Sequence, residues 1–347
     1  MIRWWPLLLV ALLATAFAIE TTLFGPTAQP FQAHREMMDT WVSITVYDTD
    51  ESHAKSAIDA AFSRMEEVVR IASIHDPEAE AFRLNVEGIA TSPSPELFEL
   101  LLASKRIFEI SGGVFDVTVA PLLALWQFHP AAQMQFWELA QEDQQAAIDE
   151  TMKLVGTDRI SLIEDPEPTV ELARGTQITL GGIAKGYIVD QGLRALRAEG
   201  IVHALIDAGG DIAVFGGKPG DAKWEIALVN PADEEDALAH FALEDGAIAT
   251  SGNYRRFFDP EAQVGHIMDP RTGYSSEASS SATVIAATCM EADALATAVF
   301  VLGPEEGIEL VNGLTAVEAM VLGHEDPTAI VRSRNLGDYE VRKKDGV

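Results

Sequence analysis

The stretch Leu180-Gly181-Gly182-Ile183-Ala184-Lys185-Gly186-Tyr187-Ile188-Val189-Asp190 restricts what this chain can fold into more than any other. Before it, Gln177 to Leu180 alternates as a short strand does. After it, Ile183, Tyr187, Ile188, Leu193 and Leu196 recur at helical spacing until Gly200. A strand that runs through paired glycines into a helix lets backbone approach a ligand closely. It also aims unpaired N–H groups and the positive end of the helix dipole at an anion. Lys185 adds charge in a first turn where a cation is otherwise slightly unfavourable. A tight turn with a solvated lysine has the same sequence. The stretch has neither the GxxxxGK[ST] spacing of a phosphate loop nor the GxGxxG of a dinucleotide fold.

Charge narrows the partners. Lys and Arg total 24 against 54 Asp and Glu, a formal net charge of −30. That argues against nucleic acid and against an electrostatic grip on anionic lipid. A phosphate ligand on so acidic a chain needs a local remedy: a metal ion, helix N-termini or a few placed basic residues. Met1 to Ala18 reads as a secretory signal, with Arg3 at its start, an apolar run from Leu7 to Ala16, and the small-x-small pattern Ala16-Phe17-Ala18. The expected location is outside the cytoplasm, in the periplasm, with this segment either cleaved or kept as an inner-membrane anchor. Cys289 is the only cysteine, so the chain has no internal disulfide and no Cys-rich metal site.

The expected organisation is a signal segment over 1–18, a tether over 19–33, one domain over 34–332 and a tail over 333–347. Helices lead: Glu51–Ser73 and Pro95–Ile110, then an acidic, Gln-rich helix over Pro130–Val155. Trp41–Tyr47 is an early strand. From Arg159 strands dominate, including Thr176–Leu180, with a tight reversal at Ala208-Gly209-Gly210-Asp211. Met290–Leu302 reads as a helix stopped by Gly303-Pro304. The fold class is therefore α+β, a single domain of mixed sheets with packed helices.

Three downstream clusters hold chemistry-bearing residues. Thr250 to Phe257 gathers hydroxyls, Tyr254 and the Arg255-Arg256 pair in a turn; arginine forks suit phosphate, although exposed pairs are common. In Gly265-His266-Ile267-Met268-Asp269-Pro270-Arg271-Thr272-Gly273, His266 has the chemistry of a general base, and Asp269 or Arg271 would place a substrate beside it. A lone histidine is also often structural. In Glu291 to Ala298, Asp293 and Thr297 stand four apart on one helix face and offer hard oxygen donors of the kind that hold Mg²⁺ beside phosphates. Plain helices carry that pair too.

Taken in order, LGGIAKGYIVD, AGGDI, ATSGNYRRFF, GHIMDPRTG and EADALATAVFVLG closely resemble the ApbE family, the FAD:protein FMN transferases. Met38-Asp39-Thr40 resembles that family's Met-Gly-Thr, Phe82-Arg83-Leu84-Asn85 its Ser-Arg-Leu-Asn, and GGVFDVTVAPL its Gly-Gly-x-Phe-Asp-Pro-Thr-Val-x-Pro-Leu. The chain departs from the family at Asp39 (usually Gly), Phe82 (Ser), Val117 (Pro) and Thr179 (often Asp). These departures sit at the edges of the flavin-binding motifs.

The resemblance implies an enzyme that moves FMN from FAD onto a Ser or Thr hydroxyl of an exported acceptor, such as an electron-transfer complex subunit, with AMP as leaving group. It further implies Mg²⁺ on Asp293, Thr297 and the Ala184 carbonyl, and His266 as the base. Met38, Asp116, Gly182, Lys185, Asp207, Tyr254, Arg255 and Asp269 are the expected FAD contacts. An FAD pyrophosphatase and a flavin-binding protein without turnover are the alternatives.

Overall fold

The computed structural model describes residues 27–127, 133–230, 233–252, 257–259, 264–324, 326 and 329–341. Gln29–Met37 (β1) and Thr40–Asp48 (β2) pair antiparallel along their whole length. Met38 and Asp39 close the hairpin at φ 53° and 57°, the left-handed conformation that a two-residue hairpin loop demands. Asp is among the residues that tolerate it, which accounts for Asp39 where the resembled motif has Gly. The tether expected over 19–33 is corrected here, because residues 29–33 already belong to β1. That strand lies at the sheet edge and alternates polar residues, so it lacks the β-branched run that would have announced it.

Glu51–Ala72 (α1) follows, its start capped by the Asp50 carboxylate, which accepts from the Ser52 and His53 N–H groups. Glu80–Glu87 (α2), Ile89–Thr91 (β3) and Pro95–Ile110 (α3) come next. A 3₁₀ turn at Val117–Val119 feeds Ala120–Trp126 (α4). The acidic segment is helical only over Gln141–Met152 (α5), and residues 128–132 before it lie outside the described part. Ile160–Ile163 (β4) and Thr169–Leu172 (β5) complete a small sheet with β3.

Ala184–Ala198 (α6), Ala204–Ala208 (β6), Asp211–Phe215 (β7), Trp224–Asn230 (β8), Asp233–Leu243 (β9), Gly246–Gly252 (β10), Phe257–Asp259 (β11), Val264–Gly265 (β12), Ser279–Ala286 (β13), Cys289–Asn312 (α7), Glu318–Gly323 (β14) and Ile330–Arg332 (β15) complete the order. Inside α7, Gly303 has φ 84° and Pro304 follows it. The expected helix stop is thus real, and a second helical stretch begins beyond it.

The main sheet runs β1-β2-β6-β7-β10-β13-β14-β15, with every neighbouring pair antiparallel. α1, α6 and α7 cover one face and bury Phe62, Ile188, Leu295 and Phe300 against Ile44, Ala249 and Val284. The β8–β9 hairpin covers the other face, packing Trp224 and Phe241 on Val214, Ile248 and Ile285. Adjacent strand residues such as Ala213 and Val214 therefore both reach a core. That is why the central strands read as apolar runs rather than clean alternation.

Two further expectations are corrected. Thr176–Leu180 is not a strand: its backbone groups bond to the Asn85 side chain (Ile178 N to Oδ1 2.7 Å, Nδ2 to Ile178 O 2.8 Å) and to the Val117 carbonyl, not to a neighbouring ladder. Nor does the packed structure end at residue 332. Ser333 and Leu336 are buried, the Asn335 N–H and side-chain amide bond to the Glu318 carboxylate at 3.1 and 3.0 Å, and Glu340 bridges to Phe241. Residues 342–347 lie outside the described part. Among the described residues no helix is long and apolar enough to cross a membrane. The signal segment is not among them.

Candidate active site

Where β2, the glycine-rich start of α6, β10 and α7 converge, a cleft of about 1190 Å³ opens. Met38, Asp116, Gly182, Ala184, Lys185, His266, Asp293 and Thr297 all line it. The Leu180–Gly186 stretch needs its glycines for different reasons. At Gly182 a Cβ would come within 3.2 Å of both the Phe115 ring and Thr297 Oγ1, so the missing side chain brings α6 beside α7. At Gly186 a Cβ would overlap the Cys289 carbonyl, which is backbone and cannot swing aside. No side chain caps the start of α6, although the Gly186 N–H donates to Asp293 Oδ2 at 2.9 Å.

The departures keep their neighbours' bonds. Thr179 Oγ1 accepts from the Gly181 N–H at 3.4 Å, a job an Asp also does. Val117, where the family has Pro, still offers its carbonyl to Thr179 N at 2.7 Å. Asp116 Oδ1 accepts from Thr118 N, Thr118 Oγ1 and Thr157 Oγ1 at 2.8, 2.6 and 3.1 Å, which fixes the 3₁₀ turn at the cleft wall. Burial nonetheless holds the Asp116 carboxyl above its ordinary range, against those hydrogen bonds.

The floor of the cleft is electrostatically loaded. Lys185 Nζ lies 3.0 Å from the buried Asp211 Oδ2. Burial works against the Lys185 ammonium, but the charges of Asp211 and Asp293 outweigh it and hold its pKa above the usual lysine value. Desolvation, then the neighbouring Asp211 charge, pushes the Asp293 carboxyl up to about 8. Asp190 accepts from the Cys289 and Met290 N–H groups at 2.9 Å each, and burial raises it to about 6 in spite of those bonds. Two buried carboxylates, Asp211 and Asp293, thus lie beside one ammonium, an acidic surplus that would favour a bound cation.

The donor set fits a hard one. Among the described residues no group of three or more His, Cys, Asp and Glu is placed so that it could hold a metal ion. Asp293 and Thr297 instead offer a carboxylate and a hydroxyl from one helix face, beside the backbone of Ala184. Such a sparse oxygen set suits Mg²⁺, which keeps waters and substrate phosphates as its other ligands. Ser251 Oγ, 3.3 Å from Thr297 Oγ1, helps hold the hydroxyl in place.

His266 follows β12 and lines the cleft from a loop that is firmly anchored. Asp269 N and Tyr274 O pair at 2.8 Å, and Trp126 Nε1 donates to the Gly273 carbonyl at 2.8 Å. Ile148 of α5 packs with Trp126, Val264 and Met268 beneath it. The acidic segment, which in sequence looks merely solvated, therefore braces the histidine loop. Asp269 stands outside the cleft lining: its carboxylate is engaged by Arg271 at 2.8–3.2 Å. Asp207 also stands behind the wall, accepting from the Gly210 N–H at 2.9 Å and so fixing the Gly209–Gly210 turn that does line it. Tyr254 and Arg255 lie outside the described residues. Sequence reasoning missed Asp190 and Asp211. The one signal for Asp190 was its spacing of four from Gly186, which puts both on one face of α6.

The ApbE family model matches residues 38–321. The chain belongs to the ApbE family. Curated relatives include an FAD:protein FMN transferase of Escherichia coli, 30% identical over 251 residues that make up 70% of this chain and 70% of that protein. Another, from Klebsiella pneumoniae, is 28% identical over 309 residues, 84% of each. Among solved structures, the ApbE protein of Thermotoga maritima has a TM-score of 0.79 at 27% identity, covering 90% of this chain and 100% of that one. The flavin transferase ApbE of Vibrio cholerae has a TM-score of 0.75 at 25% identity, covering 90% and 99%. These ApbE structures share the α+β architecture described above.

Proposed function

We propose that this chain is an FAD:protein FMN transferase that moves FMN from FAD onto a Ser or Thr hydroxyl of an exported acceptor protein and releases AMP. One observation carries the reading: His266, the glycine-rich start of α6 and the Asp293–Thr297 face of α7 all line one cleft. At about 1190 Å³ it exceeds the usual range for small-ligand pockets and has room for a dinucleotide.

The glycine turn and Lys185 receive the pyrophosphate, whose charge a chain of net charge −30 has few other means to offset. Asp293, Thr297 and the Ala184 carbonyl would hold Mg²⁺, which when bound neutralises phosphate charge and opens phosphorus to attack. His266 takes the proton of the acceptor hydroxyl. That oxygen bonds to the flavin-side phosphorus, the P–O bond to the AMP phosphate breaks, and AMP leaves with its electron pair. Met38 and Asp116 border the remainder of the FAD site. The acceptor class is exported electron-transfer subunits, and the working compartment is the periplasm.

The test is to incubate the mature chain with FAD and Mg²⁺, with and without a Thr-containing acceptor fragment. The acceptor is expected to gain the mass of one FMN while AMP appears, and a chelator abolishes both. FMN and AMP without a mass gain would make the protein an FAD pyrophosphatase. Intact FAD in both tubes would leave a flavin-binding protein or a transferase offered the wrong acceptor.

A further inference from the structure

Asp190 is not in the cleft lining, yet it ties together the two helices that carry the proposed cation donors. Its two carboxylate oxygens accept separately from the Cys289 and Met290 N–H groups, at 2.9 Å each, in the first turn of α7. One turn earlier on the same face of α6, Gly186 sits against the Cys289 carbonyl with no space for a Cβ, and its N–H reaches Asp293 Oδ2 at 2.9 Å. The ordinary cap of α7 is already supplied by Thr288, whose Oγ1 accepts from Glu291 N at 3.2 Å. The Asp190 bonds therefore do something a helix cap alone does not: they fix where α7 begins relative to α6.

We propose that Asp190 is a positioning residue for the divalent-cation site, setting the distance between the Ala184 carbonyl and the Asp293–Thr297 pair by docking the first turn of α7 onto α6. This rests on the metal reading given above. An Asn at this position offers one acceptor oxygen and turns an N–H₂ toward the second backbone N–H. One of the two bonds must then break, and the start of α7 moves.

The probe is Mn²⁺, its free concentration followed by electron paramagnetic resonance in titrations of the full, FAD-free chain. Asp190→Asn is expected to weaken Mn²⁺ binding roughly 10–100-fold, as loss of an outer-sphere support does, while FAD affinity without metal stays at the wild-type value. Thr288→Ala, which removes the ordinary cap of the same helix, is expected to leave Mn²⁺ affinity unchanged. Should Asp190→Asn fail to fold, Asp190→Glu keeps both acceptors on a longer arm and is expected to weaken Mn²⁺ binding by a smaller factor. Wild-type Mn²⁺ affinity in the folded Asp190 variant overturns the proposal, as does an equal loss in Thr288→Ala, which would reduce Asp190 to helix stability. If the wild-type chain itself binds no Mn²⁺, the metal reading falls and takes this proposal with it.

Discussion

Asp293 has two tasks, accepting the Gly186 N–H at 2.9 Å and presenting an oxygen beside Thr297. In Asp293→Ala the proposed cation site loses its one carboxylate, and transfer is expected to fall roughly a thousandfold or more, equivalent to about 4 kcal/mol of barrier. The fold should survive, because the lost hydrogen bond is offset by relief of the repulsion with buried Asp211. Transfer rate against Mg²⁺ concentration, with a thermal melt beside it, checks both halves; a wild-type rate would remove Asp293 from the metal site. His266→Ala is expected to cost about 10²–10⁴-fold in transfer with FAD affinity unchanged. Equilibrium FAD titration of that variant decides between a base and a binding contact. These residues were legible because spacing alone puts Asp293 and Thr297 on one face, and because His266 sits in a motif. Asp190 and Asp211 were not. Their roles exist only once α6 meets α7 and β7, and no local pattern encodes that meeting.

At the scale of elements, α1 is pinned at both sides of its start. His53 Nδ1 lies 2.5 Å from Asp48 Oδ2, and its Nε2 lies 2.8 Å from the Glu199 carbonyl at the end of α6. Both ring nitrogens face acceptors, so the imidazolium is the form that satisfies both. The Glu199 carbonyl first, and then Asp48, raise the His53 pKa above the ordinary histidine value. A raised folded-state pKa means this tie contributes fully below about pH 6.5, the unfolded value, and is lost as pH climbs through the folded value. Urea midpoints across that window should fall more steeply for the wild type than for His53→Gln; parallel curves would show that the pair does not titrate with folding. Long periodic helices such as α1 and α3 were readable from sequence. The 176–180 segment was not, because its alternation mimics a strand while Asn85 supplies the bonds a neighbouring strand would. The edge strand β1 hid for the opposite reason, having polar residues on a backbone that does pair.

At the scale of the molecule, the described domain is built on one eight-stranded sheet between a helical layer and a hairpin, and the proposed cation donors Asp293 and Thr297 belong to α7 of that helical layer. Mg²⁺ should therefore stabilise the folded chain by linkage, by about 2.7 kcal/mol at a hundred times its dissociation constant. A melt with and without EDTA reads this directly, and a midpoint unmoved by Mg²⁺ would argue that the carboxylates balance one another through raised pKa values alone. The contact of Gly186 with the Cys289 carbonyl has a consequence for how such a chain tolerates mutational drift. The gap between α6 and α7 is gauged there by main chain against main chain and held by Asp190, so it does not depend on the size of the apolar side chains around the two helices. Substitutions can accumulate in the apolar layer around the two helices and erode stability gradually, while the spacing of the donors is inherited intact.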